Sequence, residues 1–185
     1  MLCTSPSRPD DVAGADFMPM AGFKRLTAAT HGCLPWCADA LSKGSGSGFG
    51  DSLVLFRGSD VISTGDIFTP DGYPFIDLER GGSVEGEIAA LNHILQLTVP
   101  AKTQEGGTYV IPGHGRICDD ADVVEFRDMV VIVRDRVRDL IQKGRTLDEV
   151  KATRPTRDYD TEYVSSNSFV TADRFVEAVY KSLSR

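Results

Sequence analysis

TYVIPGHGR, residues 108–116, joins a short strand pattern to a glycine turn that carries a histidine. The aromatic and β-branched run Tyr109–Ile111 predicts a strand, and Pro112 and Gly113 end it. Glycines on both sides of His114 permit a sharp turn and leave the imidazole unobstructed at the end of the strand. A histidine in this position is typical of a metal ligand or a catalytic base, and a surface histidine in a glycine turn is the alternative.

Two further strand patterns lie upstream and are joined by turn residues. The continuous apolar run Leu53–Phe56 is typical of a strand buried on both faces. Val61–Thr64 follows after residues 57–60, so the pair predicts a β-hairpin. Asp66 comes directly after the hairpin. It is either a turn aspartate that caps local amides or a functional carboxylate at the end of a strand, where α/β folds place their sites.

The remaining ordered pattern is helical. Apolar side chains recur at helical spacing, with capping residues before them and glycine or proline after them. Strands interleaved with helices predict an α/β layered domain. One predicted helix begins after Ser83, and a second runs from Asp120 to Lys143. A third begins at Thr146 and stops before Pro155, and a fourth begins after Thr171.

Residues 1–50 differ from the rest of the chain. Prolines break each candidate helix, and the apolar residues follow neither a helical nor a strand period. The segment closes with a glycine-serine run over residues 44–50, a composition typical of a flexible linker. The sequence therefore predicts an irregular, poorly ordered segment over residues 1–50 and an ordered domain over residues 51–185.

Composition excludes several classes of partner. The chain has 185 residues, a net charge of −7 and a sequence pI of about 4.9, which argues against binding to nucleic acid or to an anionic membrane. No apolar run is long enough to span a membrane, and four scattered cysteines do not predict a disulfide framework. Without a signal-peptide pattern, we expect a cytoplasmic location.

Two motifs in this order resemble the metallo-β-lactamase-fold hydrolases. They are TGDIF, residues 64–68, at the end of the hairpin, and IPGHGR, residues 111–116, at the end of the later strand. The resemblance covers about residues 50–145. It implies that the ordered part is the C-terminal half of an αββα metallo-β-lactamase-type sandwich, preceded by the poorly ordered N-terminal segment.

The resemblance also implies a metal site. In that family the aspartate that matches Asp66 bridges two metal ions, and the histidine that matches His114 binds the second ion. Zinc fits such ligands, because it takes imidazole nitrogen and carboxylate oxygen. Asp66 and His114 are the two metal ligands predicted for this chain, and no catalytic residue is assigned.

Most of the family's other ligands are missing from the sequence. The His-x-His-x-Asp-His motif does not occur, and Ser47 stands where a further histidine would precede Gly-Asp-Ser. The family uses five histidines, whereas this chain has three in total. His31 lies in the irregular segment, and His93 is expected on the solvated face of its helix. A catalytic zinc needs about three protein ligands, so the sequence predicts that one chain cannot complete the site.

Three interpretations follow. The chain is part of a zinc-dependent hydrolase that is inactive alone and needs a complementary chain with the histidine motif. Alternatively, it is a truncated, non-catalytic remnant, or a small interaction module. In each case the apolar side chains of Val54, Leu55 and Phe56 lack the cover of a second half, which predicts self-association or binding to a complementary chain.

Overall fold

The structure is a computed structural model, and it describes residues 23–26, 38–44, 49–56, 58–104, 106–164 and 169–185, with side chains from residue 53 onward. Five strands form one sheet in sequence order. They are β1 Phe23–Leu26, β2 Ala38–Gly44, β3 Phe49–Phe56, β4 Val61–Gly65 and β5 Tyr109–Pro112. The described residues therefore form a mixed α/β structure, the fold class that the sequence predicted.

The predicted hairpin is confirmed. Strands β3 and β4 pair in antiparallel fashion, with Phe56 opposite Val61. Strand β5 joins the other side of β4 in parallel orientation, with Val61 beside Tyr109. A parallel neighbour requires a long crossover connection, which the chain makes through a helix between the two strands.

Two strands lie within the segment that was expected to be irregular. Strand β1 pairs with β2, and β2 pairs with β3, both in antiparallel fashion. The expectation for residues 1–50 is corrected at these strands. It missed them because β1 has four residues and β2 is made largely of small and polar residues, which give no clear period of two. Residues 1–22, 27–37 and 45–48, with His31 and Ser47, lie outside the described residues.

Among the described residues, five helices follow β4, and four of them match the predictions. They are α1 Val84–Leu97, α2 Asp120–Gln142, α3 Leu147–Thr153, α4 Asp160–Tyr163 and α5 Ala172–Leu183. The one-turn helix α4 has no side-chain cap and was not predicted. No described helix is long and apolar enough to cross a membrane.

The caps explain where the helices begin. Ser83 accepts a hydrogen bond from the backbone N–H of Gly86 at 3.0 Å, at the start of α1. Asp119 and Asp122 form a capping box at the start of α2, and Thr146 and Glu149 form another at α3. These bonds satisfy backbone N–H groups that have no partner within the helix, so the predicted starts are confirmed.

The core lies between one face of the sheet and the helices. Leu53, Ile62 and Val110 point to this inner face and are fully buried. Helices α1, α2 and α5 contact one another over it. Phe126 of α2 packs edge-on against Phe68, with ring centroids 5.3 Å apart.

Two burial predictions are wrong. His93 was expected in solvent, but it is 4% exposed. Helix α1 contacts both α2 and α5, so more than one of its faces is buried. Strand β3 was expected to be buried on both faces, but Phe56 is 39% exposed. Within the described residues, this side of the sheet lacks the helical layer that covers the inner face.

Candidate metal centre

The candidate site lies where the parallel strands β4 and β5 end side by side. Asp66 follows the last residue of β4, and His114 lies two residues beyond the end of β5. Gly65 pairs with Pro112, and the backbone N–H of Gly113 donates to the Gly65 carbonyl oxygen at 2.8 Å. The carboxyl ends of parallel strands meet at one edge of a sheet, so two motifs 48 positions apart become neighbours.

The Asp66 and His114 side chains face each other. Nε2 of His114 lies 3.6 Å from Oδ1 of Asp66, and the two side chains are 84% and 62% exposed. That distance is too long for a good hydrogen bond. Two donors bound to one tetrahedral zinc ion, each at about 2 Å, lie roughly 3.3 Å apart. The separation of these two atoms therefore fits two ligands of a single ion.

Gly113 makes this approach possible. A Cβ atom at this position would overlap Oδ1 of Asp66 and would lie 2.9 Å from the carbonyl carbon of Gly65. Backbone atoms cannot yield as a flexible side chain can, so a larger residue would separate the two strand ends. The glycine before His114 is required by the close approach of Asp66 and Gly65.

Gly115 brings a second carboxylate to the turn. Its φ of +102° belongs to the region that side-chain-bearing residues rarely adopt. A Cβ atom there would lie 2.7 Å from Oδ2 of Asp71 and 3.0 Å from Cγ of Pro70. The loop after β4 thus packs against the histidine turn. Asp71 lies in a long irregular loop and follows no strand directly, so its place beside the histidine turn was not predictable from the sequence.

Arg116 ties the turn to the start of α2. Its guanidinium donates to both carboxylate oxygens of Asp122, at 3.0 and 2.5 Å. Asp122 also accepts the backbone N–H of Asp119 at 3.0 Å, within the capping box. The hydrogen bond from Arg116 is the largest cause that lowers the pKa of Asp122, and the same bond raises the pKa of Arg116. The last residue of the motif is therefore structural.

Cys118 is close to the turn in sequence but is a poor metal ligand. It is buried, bridges to Val110 of β5, and its backbone N–H donates to the Val110 carbonyl oxygen at 2.9 Å. Burial is the largest cause that raises the pKa of its thiol to about 11. Metal binding requires the thiolate, which burial disfavours.

Asp66 and His114 are too few ligands for a catalytic zinc site. Within the described part of the chain, no group of three or more His, Cys, Asp or Glu side chains could hold a metal ion. The Asp66 and His114 side chains lie next to each other, whereas His93 lies in the core on α1. Two ligands do not satisfy a metal that needs about three from the protein. The Asp66 carboxylate and the His114 imidazole are ligand types that fit zinc, but two ligands are too few.

Comparison with known proteins supports the fold. No protein-family model and no curated protein matches the sequence. The solved structure of the stereoselective inverting sec-alkylsulfatase Pisa1 from Pseudomonas sp. matches 88% of this chain with 14% identity and a TM-score of 0.55. Its S233Y F250G double mutant matches the same share with 15% identity and a TM-score of 0.56.

The matches cover only part of each solved structure. The chain spans 25% of the length of each of them. At this level of identity, the similarity concerns the fold alone. The sec-alkylsulfatase has the metallo-β-lactamase fold. The fold comparison and the two motifs therefore support the same resemblance, to part of a metallo-β-lactamase-type structure.

Proposed function

We propose that this chain forms part of a metal-dependent hydrolase of the metallo-β-lactamase type and does not turn over substrate alone. Asp66 and His114 would bind the metal, and a complementary chain would supply the remaining ligands. The observation that carries the proposal is the 3.6 Å approach of His114 Nε2 to Asp66 Oδ1 at the paired ends of β4 and β5. Carboxylate oxygen and imidazole nitrogen are ligands that zinc accepts.

The chain's own residues have positioning roles in this proposal. Gly113 allows Asp66 and His114 to approach, and Arg116 holds the end of the histidine turn against α2. No step of hydrolysis is assigned to the chain, because it presents two protein ligands where a catalytic zinc needs about three. The zinc-dependent activity is proposed for the completed assembly.

Zinc titration followed by calorimetry tests the metal ligands. We expect weak binding with less than one ion per chain at micromolar zinc, because two exposed ligands cannot hold the ion tightly. His114→Ala and Asp66→Ala should each abolish this binding, whereas His93→Gln, which removes the buried histidine, should leave it unchanged. Unchanged binding in His114→Ala would remove the histidine from the site, and tight binding of two ions would contradict the incomplete site.

An activity assay tests the second half of the proposal. The purified zinc-treated chain should not hydrolyse a β-lactam, a thioester or a secondary alkyl sulfate above the rate of His114→Ala. The alkyl sulfate belongs in this panel because the similar solved structures are sec-alkylsulfatases. Turnover by the chain alone that is lost in His114→Ala would show a complete site and overturn the need for a complementary chain.

A non-catalytic remnant or interaction module is the second candidate. The observation that favours it is an apolar sheet surface that stays exposed, with Phe56 and Tyr109 at 39% and 51%. This candidate predicts no zinc binding and no effect of His114→Ala on any property of the chain. The zinc titration therefore separates it from the first candidate.

A further inference from the structure

The sheet has an apolar outer face, which we define as Val54, Phe56, Val61, Tyr109, Ile111 and Ile117. Strand register creates it. In the first row, Phe56 lies opposite Val61, and Val61 lies beside Tyr109. In the second row, Val54 lies opposite Ser63, and Ser63 lies beside Ile111. Residues that are aligned across neighbouring strands share a face of the sheet. The two rows therefore run across β3, β4 and β5 on the side away from the helices.

Ile117 extends the outer face beyond β5. Cys118 pairs with Val110 in an isolated antiparallel bridge, and both side chains are buried on the inner face. Alternation along the chain then places Ile117 beside Ile111 on the opposite side. Ile117 is 64% exposed, and Ile111 is 39% exposed. Exposed aliphatic side chains in adjacent positions are unusual on a sheet that contains a parallel pair.

Charge indicates what can cover this surface. The aligned residues of β3, β4 and β5 in the two rows are apolar, except for Ser63, and none carries a charge at neutral pH. The whole chain has a net charge of −7, so two copies repel each other overall. An uncharged face is the place where two identical chains can meet without pairing like charges. In a two-fold contact the same patch meets itself, and an uncharged apolar patch is self-complementary.

We infer that the outer face is a homodimer interface, on which the sheet of a second copy of this chain packs. Two sheets can pack their outer faces against each other, with the helices of each chain on the far sides. The interface needs no metal, and a second copy on the outer face would compete with a complementary chain for the apolar side chains of Val54 and Phe56. Failure of this inference would leave the roles of Asp66 and His114 untouched.

Sedimentation velocity over about 1 to 100 µM chain tests the inference. We expect a dimer with twice the chain mass of 20.1 kDa at the upper concentrations. Ile111→Lys should raise the dimer dissociation constant by about a hundredfold, because the two-fold axis brings both new charges into one apolar contact. Tyr109→Lys should do the same and serves as a second variant if Ile111→Lys does not fold.

Ile132→Lys is the matched control. Ile132 lies on α2 and is 39% exposed, the same as Ile111, but it is not on the outer face. Circular dichroism of each variant monitors folding. The inference holds if the outer-face variants become monomers and Ile132→Lys stays dimeric. It is overturned if the unaltered chain is a monomer throughout the range, or if folded Ile111→Lys and Tyr109→Lys both dimerise as the unaltered chain does.

Discussion

At position 113 the backbone leaves room for a hydrogen atom and for nothing larger. The Asp66 carboxylate and the Gly65 carbonyl carbon occupy the space that a Cβ atom would need. The candidate site therefore depends on a residue that has no side chain and binds nothing. Metal-site geometry is often set in this way, by neighbours that orient the ligands.

We expect Gly113→Ala to destabilise the fold and weaken zinc binding together. The added methyl group must push apart the ends of β4 and β5, which costs about 1–3 kcal/mol. Urea unfolding measures the free energy, and calorimetry measures binding. Gly58→Ala is the control, because nothing lies within 4 Å of a Cβ atom at Gly58. Equal effects of the two substitutions would show that the contact with Asp66 is unimportant.

A second residue-scale prediction concerns Arg116 and Asp122. Asp122 has a lowered pKa, chiefly because Arg116 donates to it. A carboxyl group with a folded-state pKa below its unfolded value stabilises the fold above that unfolded value, here 3.8. This stabilisation is lost as the pH falls through the lower folded-state pKa.

Arg116→Ala should therefore lower the free energy of unfolding by about 1 kcal/mol at pH 7 and reduce the loss of stability below about pH 4. Urea unfolding at a series of pH values checks both effects. Lys143→Ala removes an exposed pair with Asp139 and should change the free energy by less than about 0.5 kcal/mol. A pH dependence of Arg116→Ala that matches the unaltered chain would contradict the assignment.

At the scale of elements, the loop between β4 and α1 is held by the helices at the C-terminal end of the described chain. Tyr73 in this loop is buried, and its hydroxyl donates to Oδ1 of Asp160 on α4 at 2.9 Å. Its ring stacks on Phe175 of α5, with centroids 5.1 Å apart. The short helix α4 thus has a tertiary role that its sequence did not reveal. The loop that contacts the histidine turn is fixed in place by elements far along the chain.

Tyr73→Phe tests this connection. It keeps the ring stack and removes the hydroxyl, so Asp160 loses a part-buried hydrogen bond and the fold loses about 1–2 kcal/mol. Differential scanning calorimetry should show a lower Tm. Tyr180→Phe, which removes only an exposed 3.3 Å hydrogen bond to the Arg145 carbonyl oxygen, should leave the Tm nearly unchanged. Equal Tm values for both variants and the unaltered chain would mean that the bond to Asp160 contributes nothing measurable.

At the scale of the whole molecule, the net charge and the apolar outer face have opposite effects on the association of two copies. The net charge of −7 disfavours association, whereas the outer face favours it. Salt screens the first effect and leaves the second, so their balance should depend on ionic strength.

Raising sodium chloride from about 50 to about 500 mM should therefore lower the dimer dissociation constant. The measurement is sedimentation equilibrium at fixed pH. Ile111→Lys at the same two salt concentrations is the control, because it adds a repulsion inside the interface. A dissociation constant that rises with salt in the unaltered chain would indicate that ion pairs hold the dimer, and would contradict an apolar interface.

Local interactions made much of this protein predictable from its sequence alone. The β3–β4 hairpin, the starts of α1, α2, α3 and α5, and the strand before His114 all depend on turn residues, caps and periodicity within a few positions. These features depend on residues that are close together in the chain, and so the sequence determined them.

Tertiary structure decided the remainder, because burial depends on which elements meet. His93 is in the core since α1 packs against two helices, and Phe56 is exposed since no described layer covers its face. Asp71 reaches the histidine turn only through the path of a long loop. Local patterns carry no information about such contacts between distant parts of the chain. The sequence alone selected Asp66 and His114 as candidate ligands, and the folded chain places their side chains next to each other. Among the described residues, no group of three or more His, Cys, Asp or Glu side chains could hold a metal ion.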